Sequence, residues 1–221
     1  MYIEYSYFDV SSNDVETKQN VTQAIKLGVK CISVLPMYVK NIKADCEQAR
    51  IPIACPVDYP LGLLDLKSRI YATEYIFKNG ADIADVVVPS HILCHRKYDR
   101  FREDIRAITN LAIEHNKKVR YFLEYRIYSY DLLYKMAQIL LEFGISDCFP
   151  STGYMLDDIN DNIIAAAMIN KKTDKINIII NGNIWNPKQV ALINKSQIYG
   201  IRVNSTNAVS MLMEKTKNII E

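Results

Sequence analysis

Two carboxylates lie where short apolar runs would ordinarily carry aliphatic side chains: Asp85 within Ile83–Val88 and Glu124 at the end of Val119–Glu124. An acid buried in such a run needs a partner or a raised pKa. Both are therefore candidates for proton transfer, with Arg120 or Arg202 as the cationic neighbours. The competing reading is an Asp–Arg or Glu–Arg pair that locks the interior, and residue types alone leave the two open. His91, just past the run that holds Asp85, is a third acid–base candidate.

Three later segments offer hydrogen-bond donors to an anion: Ser151-Thr152-Gly153, Gly182-Asn183 and Ser205-Thr206-Asn207. A helix N-terminus beside a glycine, where the backbone can come close, suits phosphate or carboxylate. The same residues also serve as ordinary helix caps, and the segments carry no Lys or Arg of their own. A covalent route through a lysine imine needs an amine desolvated among the strands. No lysine falls inside the apolar runs; Lys30, Lys118 and Lys175 each precede a run or stand at its start.

Other groupings are weaker. His91, Cys94 and His95 lack a further ligand at a metal-binding spacing, so no metal and no cofactor are expected. Arg96, Lys97, Arg100, Arg102 and Arg106 are interleaved with Asp99, Glu103 and Asp104, which reads as a solvated, salt-bridged face. A net charge of +2 gives no pull toward nucleic acid or an anionic membrane. Five cysteines, odd in number and without a CxxC pair, fit reduced thiols in a cytoplasmic protein. No signal peptide or run of about eighteen apolar residues is seen, so no membrane span is expected.

The elements that must position these residues alternate regularly. Runs rich in β-branched and aromatic residues occur at Tyr2–Phe8, Cys31–Leu35, Ile51–Val57, Ile83–Val88, Val119–Glu124, Ser146–Phe149, Ile176–Ile180 and Tyr199–Val203. Helical periodicity falls between them, at Asp14–Leu27, Val39–Ala49, Asp65–Asn79, Tyr98–His115, Ser129–Glu142, Leu156–Asn170, Pro187–Lys195 and Asn207–Ile219. Strands that are hydrophobic on both faces and each followed by a helix form a covered parallel sheet, and eight is the number that closes. The chain therefore reads as one α/β domain over residues 1–221, a single (β/α)8 barrel, against the alternative of an open doubly wound sheet. The seven glycines divide accordingly. Gly28, Gly80, Gly144 and Gly200 stand where helices should stop, while Gly62, Gly153 and Gly182 stand at strand C-terminal ends, where a barrel carries its chemistry.

Ser33 to Val39, Val57 to Gly62, Asn79 to Val88, Phe122 to Glu124, Ser151 to Gly153 and Gly182 to Ile184, in that order along nearly the whole chain, together resemble the motifs of the deoxyribose-phosphate aldolase family. Ser33-Val34-Leu35-Pro36-Met37-Tyr38-Val39 is similar to the family's CVNPxxV, and Val57-Asp58-Tyr59-Pro60-Leu61-Gly62 to its VxGFPLG. Asn79 to Val88 is similar to GADEVDVVI, Arg102 to Ile105 to a helix opening, and Phe122-Leu123-Glu124 to the IxE strand. Ser151-Thr152-Gly153 matches the STG motif and Gly182-Asn183-Ile184 part of the GGIRT loop. The resemblance implies a barrel aldolase, a lyase, whose two lysines would fall at Phe149 and Ile179. A phenyl ring cannot form an imine, so standard deoxyribose-phosphate aldolase activity is not expected.

Three functions remain open. One is an enzyme using Asp85 with Glu124 or His91 on a small carbonyl or phosphorylated sugar-like compound. The second is a non-catalytic homologue that binds such a ligand or acts as a scaffold in sugar or nucleoside metabolism, and the third is an aldolase with a relocated lysine. The partner in each case is a small molecule. Tyr121, Tyr125, Tyr128, Tyr130 and Tyr134 add a candidate homodimer contact or capped pocket mouth, against ordinary half-buried packing.

Overall fold

The computed structural model describes residues 1–155, 158–173, 175–196 and 198–217, with side chains to position 214. Eight parallel strands close into a barrel in chain order. They are β1 (Tyr2–Tyr7), β2 (Cys31–Val34), β3 (Ile53–Val57), β4 (Ile83–Val87), β5 (Lys118–Phe122), β6 (Asp147–Phe149), β7 (Asn177–Asn181) and β8 (Gly200–Val203). The helices are α1 (Asp14–Lys26), α2 (Val39–Ala49), α3 (Leu66–Asn79), α4 (Ser90–Leu93), α5 (Tyr98–Glu114), α6 (Tyr130–Glu142), α7 (Ile159–Asn170), α8 (Pro187–Lys195) and α9 (Thr206–Lys217). The open-sheet alternative is thereby excluded.

Local chemistry accounts for most boundaries. A capping box starts α1, with the Asn13 side chain accepting from Glu16 N–H and the Glu16 carboxylate accepting from Asn13 N–H. A second starts α8 at Asn186 and Gln189, with Pro187 in the first turn. Gly80 closes α3 at φ 111, while α2 stops on a non-glycine, Arg50 at φ 57.

Several expectations are corrected. Gly200 is not a helix stop: it opens β8 in register with Tyr2, where a Cβ would stand 2.7 Å from the Tyr2 carbonyl oxygen. Strand β5 has Lys118 at its start, as expected, but ends at Phe122, so Glu124 lies beyond it with φ 62. The one-turn helix α4 was not expected. Helix α7 starts at Ile159; the expected start at Leu156 and the expected end of the last helix at Ile219 lie outside the described residues.

Alternation along the strands fills the barrel in layers. Cys31, Ala54 and Ile83 pack with Tyr2 near the strand N-termini. Val87, Phe122, Phe149 and Ile179 pack higher, beside Tyr59. Glu4, Asp85 and Arg120 come between, two residues from one layer or the other on their strands; Arg202 of β8 joins them, and all four are buried. Register explains the meeting: Glu4 is opposite Arg202 across β1 and β8, and Asp85 is opposite Arg120 across β4 and β5. Closure of the barrel brings the two pairs together. A separate apolar layer, including Val21, Ile42, Ile76, Ile105, Leu133 and Ile180, fills the space between strands and helices.

Candidate ligand site at the barrel mouth

A cavity of about 670 Å³ opens at the C-terminal ends of the strands. Its lining includes Ser6, Asp9, Tyr59, Thr152, Asn181, Arg202 and Asn204. Ser6, Asn181, Arg202 and Asn204 lie at the inward positions of β1, β7 and β8 or just past them, so strand alternation puts them on one wall. Every one of the lining residues is a non-lysine. Another hollow, of about 620 Å³, lies outside the barrel between the β3 end and α3, under Leu61, Leu63, Tyr71 and Tyr75. It is largely apolar, and it gathers fewer polar groups than the mouth.

The floor of the mouth is a salt-bridge quartet. Arg120 Nε donates to Asp85 Oδ1 at 2.7 Å and Arg120 Nη2 to Asp85 Oδ2 at 3.0 Å. Arg120 Nη1 also donates to Glu4 Oε1. Arg202 Nε donates to Glu4 Oε2 at 2.9 Å, and Arg202 Nη2 to Asp85 Oδ2 at 2.5 Å. Burial by itself would raise the Glu4 pKa, but the Arg120 and Arg202 guanidiniums overcome it and hold the carboxyl at about 2. The four formal charges sum to zero. Rings flank the guanidiniums: Arg202 Cζ lies 4.2 Å from the Phe149 centroid and 5.6 Å from that of Phe122.

The acid–base candidates separate. Asp85 gives both oxygens to the arginines, which is the ion-pair arrangement weighed against proton transfer. Glu124 takes a different partner: its Oε2 accepts from Thr152 N–H at 3.0 Å and from Thr152 Oγ1 at 2.5 Å. Neither carboxylate is among the residues lining the cavity. His91 is exposed on α4 and also lies outside that lining.

The expected anion cradle has spent many of its donors. Gly153 N–H donates to Ser151 Oγ at 2.9 Å, Tyr154 N–H to Thr152 Oγ1 at 3.3 Å, and Gly182 N–H to the Arg202 carbonyl at 3.2 Å. Thr152, Gly153, Gly182 and Asn183 line the cavity. Ser151 is buried beneath it, its carbonyl accepting from Asn181 Nδ2 at 2.5 Å. Ser205, Thr206 and Asn207 are outside the lining, and Ser205 Oγ caps α9 by accepting from Ala208 N–H at 3.1 Å. The positions matched to family lysines, Phe149 and Ile179, are 0% and 1% exposed and belong to the same apolar layer.

Tyr59 is held over the cavity by its hydroxyl, which donates to the Thr152 carbonyl at 3.2 Å. Burial pushes its pKa up to about 12. Its ring meets Phe8 at 5.3 Å and Tyr154 at 6.3 Å, building an aromatic wall. Trp185, by contrast, is 76% exposed and fills nothing. Glu4 was the member of the quartet that sequence reasoning passed over. The signal was available, because Glu4 interrupts Tyr2–Phe8 as Asp85 interrupts its own run. Among the described residues no group of three or more His, Cys, Asp or Glu is placed to hold a metal, and no helix is long and apolar enough to cross a membrane.

No family model matches the chain. It is 25% identical over 154 residues to a deoxyribose-phosphate aldolase of Caldicellulosiruptor saccharolyticus, covering 69% of this chain and 70% of that one. Among solved structures it superposes on QR15, an aldolase, with a TM-score of 0.85 at 18% identity, covering 99% of this chain and 96% of the other. It also superposes on the tetrameric deoxyribose phosphate aldolase of Aeropyrum pernix with a TM-score of 0.81 at 18% identity, covering 98% and 90%.

Proposed function

We propose that this chain, a homologue of the deoxyribose-phosphate aldolases, binds a small sugar-like carbonyl compound at its barrel mouth and does not process it through a lysine imine. The observation that carries this reading is the interior itself. Phe149 and Ile179 are sealed in an apolar layer with Phe122 and Val87, and the cavity lining offers hydroxyls, amides and one arginine but no lysine. An imine requires an amine that can lose its proton, and a guanidinium keeps its proton and its charge. Binding without turnover is further supported by Asp85 and Glu124, whose oxygens serve as internal hydrogen-bond acceptors. The relative's name supplies the ligand class, a deoxyribose-like compound, and the polar wall of Ser6, Asn181 and Asn204 suits its hydroxyls.

The test has two parts. Titration of ¹⁵N-labelled protein with short aldehydes, ketoses and pentoses should shift amide signals of Thr152, Gly182 and Asn204. Borohydride reduction in the presence of the same aldehydes should give only the unsaturable labelling of exposed lysines, with no adduct that a competing pentose prevents. A reduced adduct that saturates with aldehyde and is competed away by pentose would show that a lysine from elsewhere reaches the ligand and would overturn the imine-free reading.

A further inference from the structure

The geometry assigns Arg202 as a ligand-binding residue: its Nη1 donates to an uncharged carbonyl or hydroxyl oxygen of the ligand, so that the site prefers non-phosphorylated polyhydroxy carbonyl compounds. This deepens the sugar-binding reading above and rests on it.

Arg202 lines the mouth cavity while being only 2% exposed. Two of its three guanidinium nitrogens are committed, Nε to Glu4 and Nη2 to Asp85 and Glu4. The third, Nη1, is buried without a hydrogen-bond partner among the described residues. A buried donor left unmatched is costly, and Phe122 and Phe149 stand against the guanidinium. Nη1 is sealed from solvent in this arrangement, so an acceptor reaches it by displacing groups at the cavity floor and on arrival completes its hydrogen bonding. Glu4 and Asp85 act as positioning residues, since their bonds to Nε and Nη2 hold the planar group in place.

Charge selects the acceptor. The positive charge of Arg202 is already matched within the neutral quartet, and Arg120 is committed to the same two acids. The other charged residues lining the cavity are Asp9 and Asp158. A phosphate dianion entering here would meet two carboxylates and no unmatched cation. It would also find the N–H groups of Thr152, Gly153, Tyr154 and Gly182 occupied. A carbonyl or hydroxyl oxygen satisfies Nη1 and adds no charge to a low-dielectric site.

Calorimetric titration with D-ribose, D-ribonate and D-ribose 5-phosphate compares one skeleton in neutral, carboxylate and phosphate form. Ribose should bind the unmodified protein at least about tenfold more tightly than either anion. Arg202→Lys should weaken ribose binding at least about tenfold. The charge-matched Glu4→Gln/Arg202→Met variant keeps the interior neutral and should show the same loss, each variant being checked for a native melting profile. Stronger binding of the phosphate or the carboxylate to the unmodified protein would overturn the uncharged-ligand assignment, whether or not the variants fold. Wild-type affinity for ribose in a folded variant would overturn the role of Arg202 alone, whereas absence of binding by all three compounds would remove the underlying reading too.

Discussion

Replacing Glu4 with Gln tests the buried quartet directly. The variant keeps the side chain's size and one acceptor but leaves Arg120 and Arg202 facing Asp85 alone. Losing one member of a buried ion pair costs about 3–5 kcal/mol. An independent figure comes from linkage. The folded Glu4 carboxyl lies at about 2 against an ordinary value of 4.5, which corresponds to about 3 kcal/mol of stability. Because the folded value is the lower one, that contribution is complete above the ordinary value and is lost as pH falls through about 2. Urea unfolding should therefore show Glu4→Gln less stable than wild type by about 3–5 kcal/mol at neutral pH, a midpoint difference of about 1.5–2.5 M if the denaturant slope is about 2 kcal/mol per molar. The gap should narrow by about 2 kcal/mol on going to about pH 3. Using the difference between the proteins cancels carboxylates common to both, such as Asp65 and Glu142. A gap that stays constant from neutral pH to about pH 3, or one below about 0.5 kcal/mol throughout, would refute the claim that Glu4 is held ionised by the two arginines.

Other outcomes follow from single contacts. Phe149→Lys should gain adduct with glycolaldehyde and borohydride, at least about tenfold over wild type. The new amine would sit beside Arg120 and Arg202, whose Cζ atoms lie 4.9 and 4.2 Å from the present ring centroid, and like charges favour the neutral amine; a folded variant that forms no adduct counts against the aldolase-like placement of position 149. Gly62→Ala should lower stability by at least about 2 kcal/mol in thermal unfolding, because φ is 66° and the new Cβ would fall 2.1 Å from the Val88 carbonyl oxygen. Thiol titration of the native protein should count one reactive cysteine, Cys94, since Cys31, Cys46, Cys55 and Cys148 are buried and burial pushes their thiols up, that of Cys46 to about 12. Rapid reaction of two or more would show that the barrel wall opens.

Much of the architecture could be read in the chain because barrel strands announce themselves locally. Runs such as Cys31–Val34 and Ile83–Val87 are buried at every residue, and that continuous apolarity is visible without knowing what covers them. Boundaries slipped where backbone geometry, rather than hydrophobicity, ends an element. Residue order puts Glu124 in a strand, yet it adopts φ 62 two residues past one. Gly200 resembled a helix stop because glycine usually is one there; what it needs is closeness to Tyr2.

The site was less legible, and the reason is pairing. Residue type marked Asp85, Arg120 and Arg202 as anomalous within strands, but which acid meets which base depends on register and closure. Glu4 and Arg202 are separated by almost the whole sequence and become neighbours because β1 and β8 seal the barrel. Likewise, Ser, Thr and Gly at strand ends signal a cradle by composition, whereas only the folded loops show that Ser151 and Thr152 side chains take up the donors themselves. The sequence alone determined the eight-fold alternation of strands and helices and the absence of lysine from the inward positions that matter, since both are local properties of residue order. Tertiary structure decided that the buried charges cancel, that the two candidate carboxylates have separate partners, and that one guanidinium nitrogen remains without an acceptor among the described residues. Those are properties of distances across a closed barrel, which residue order does not contain.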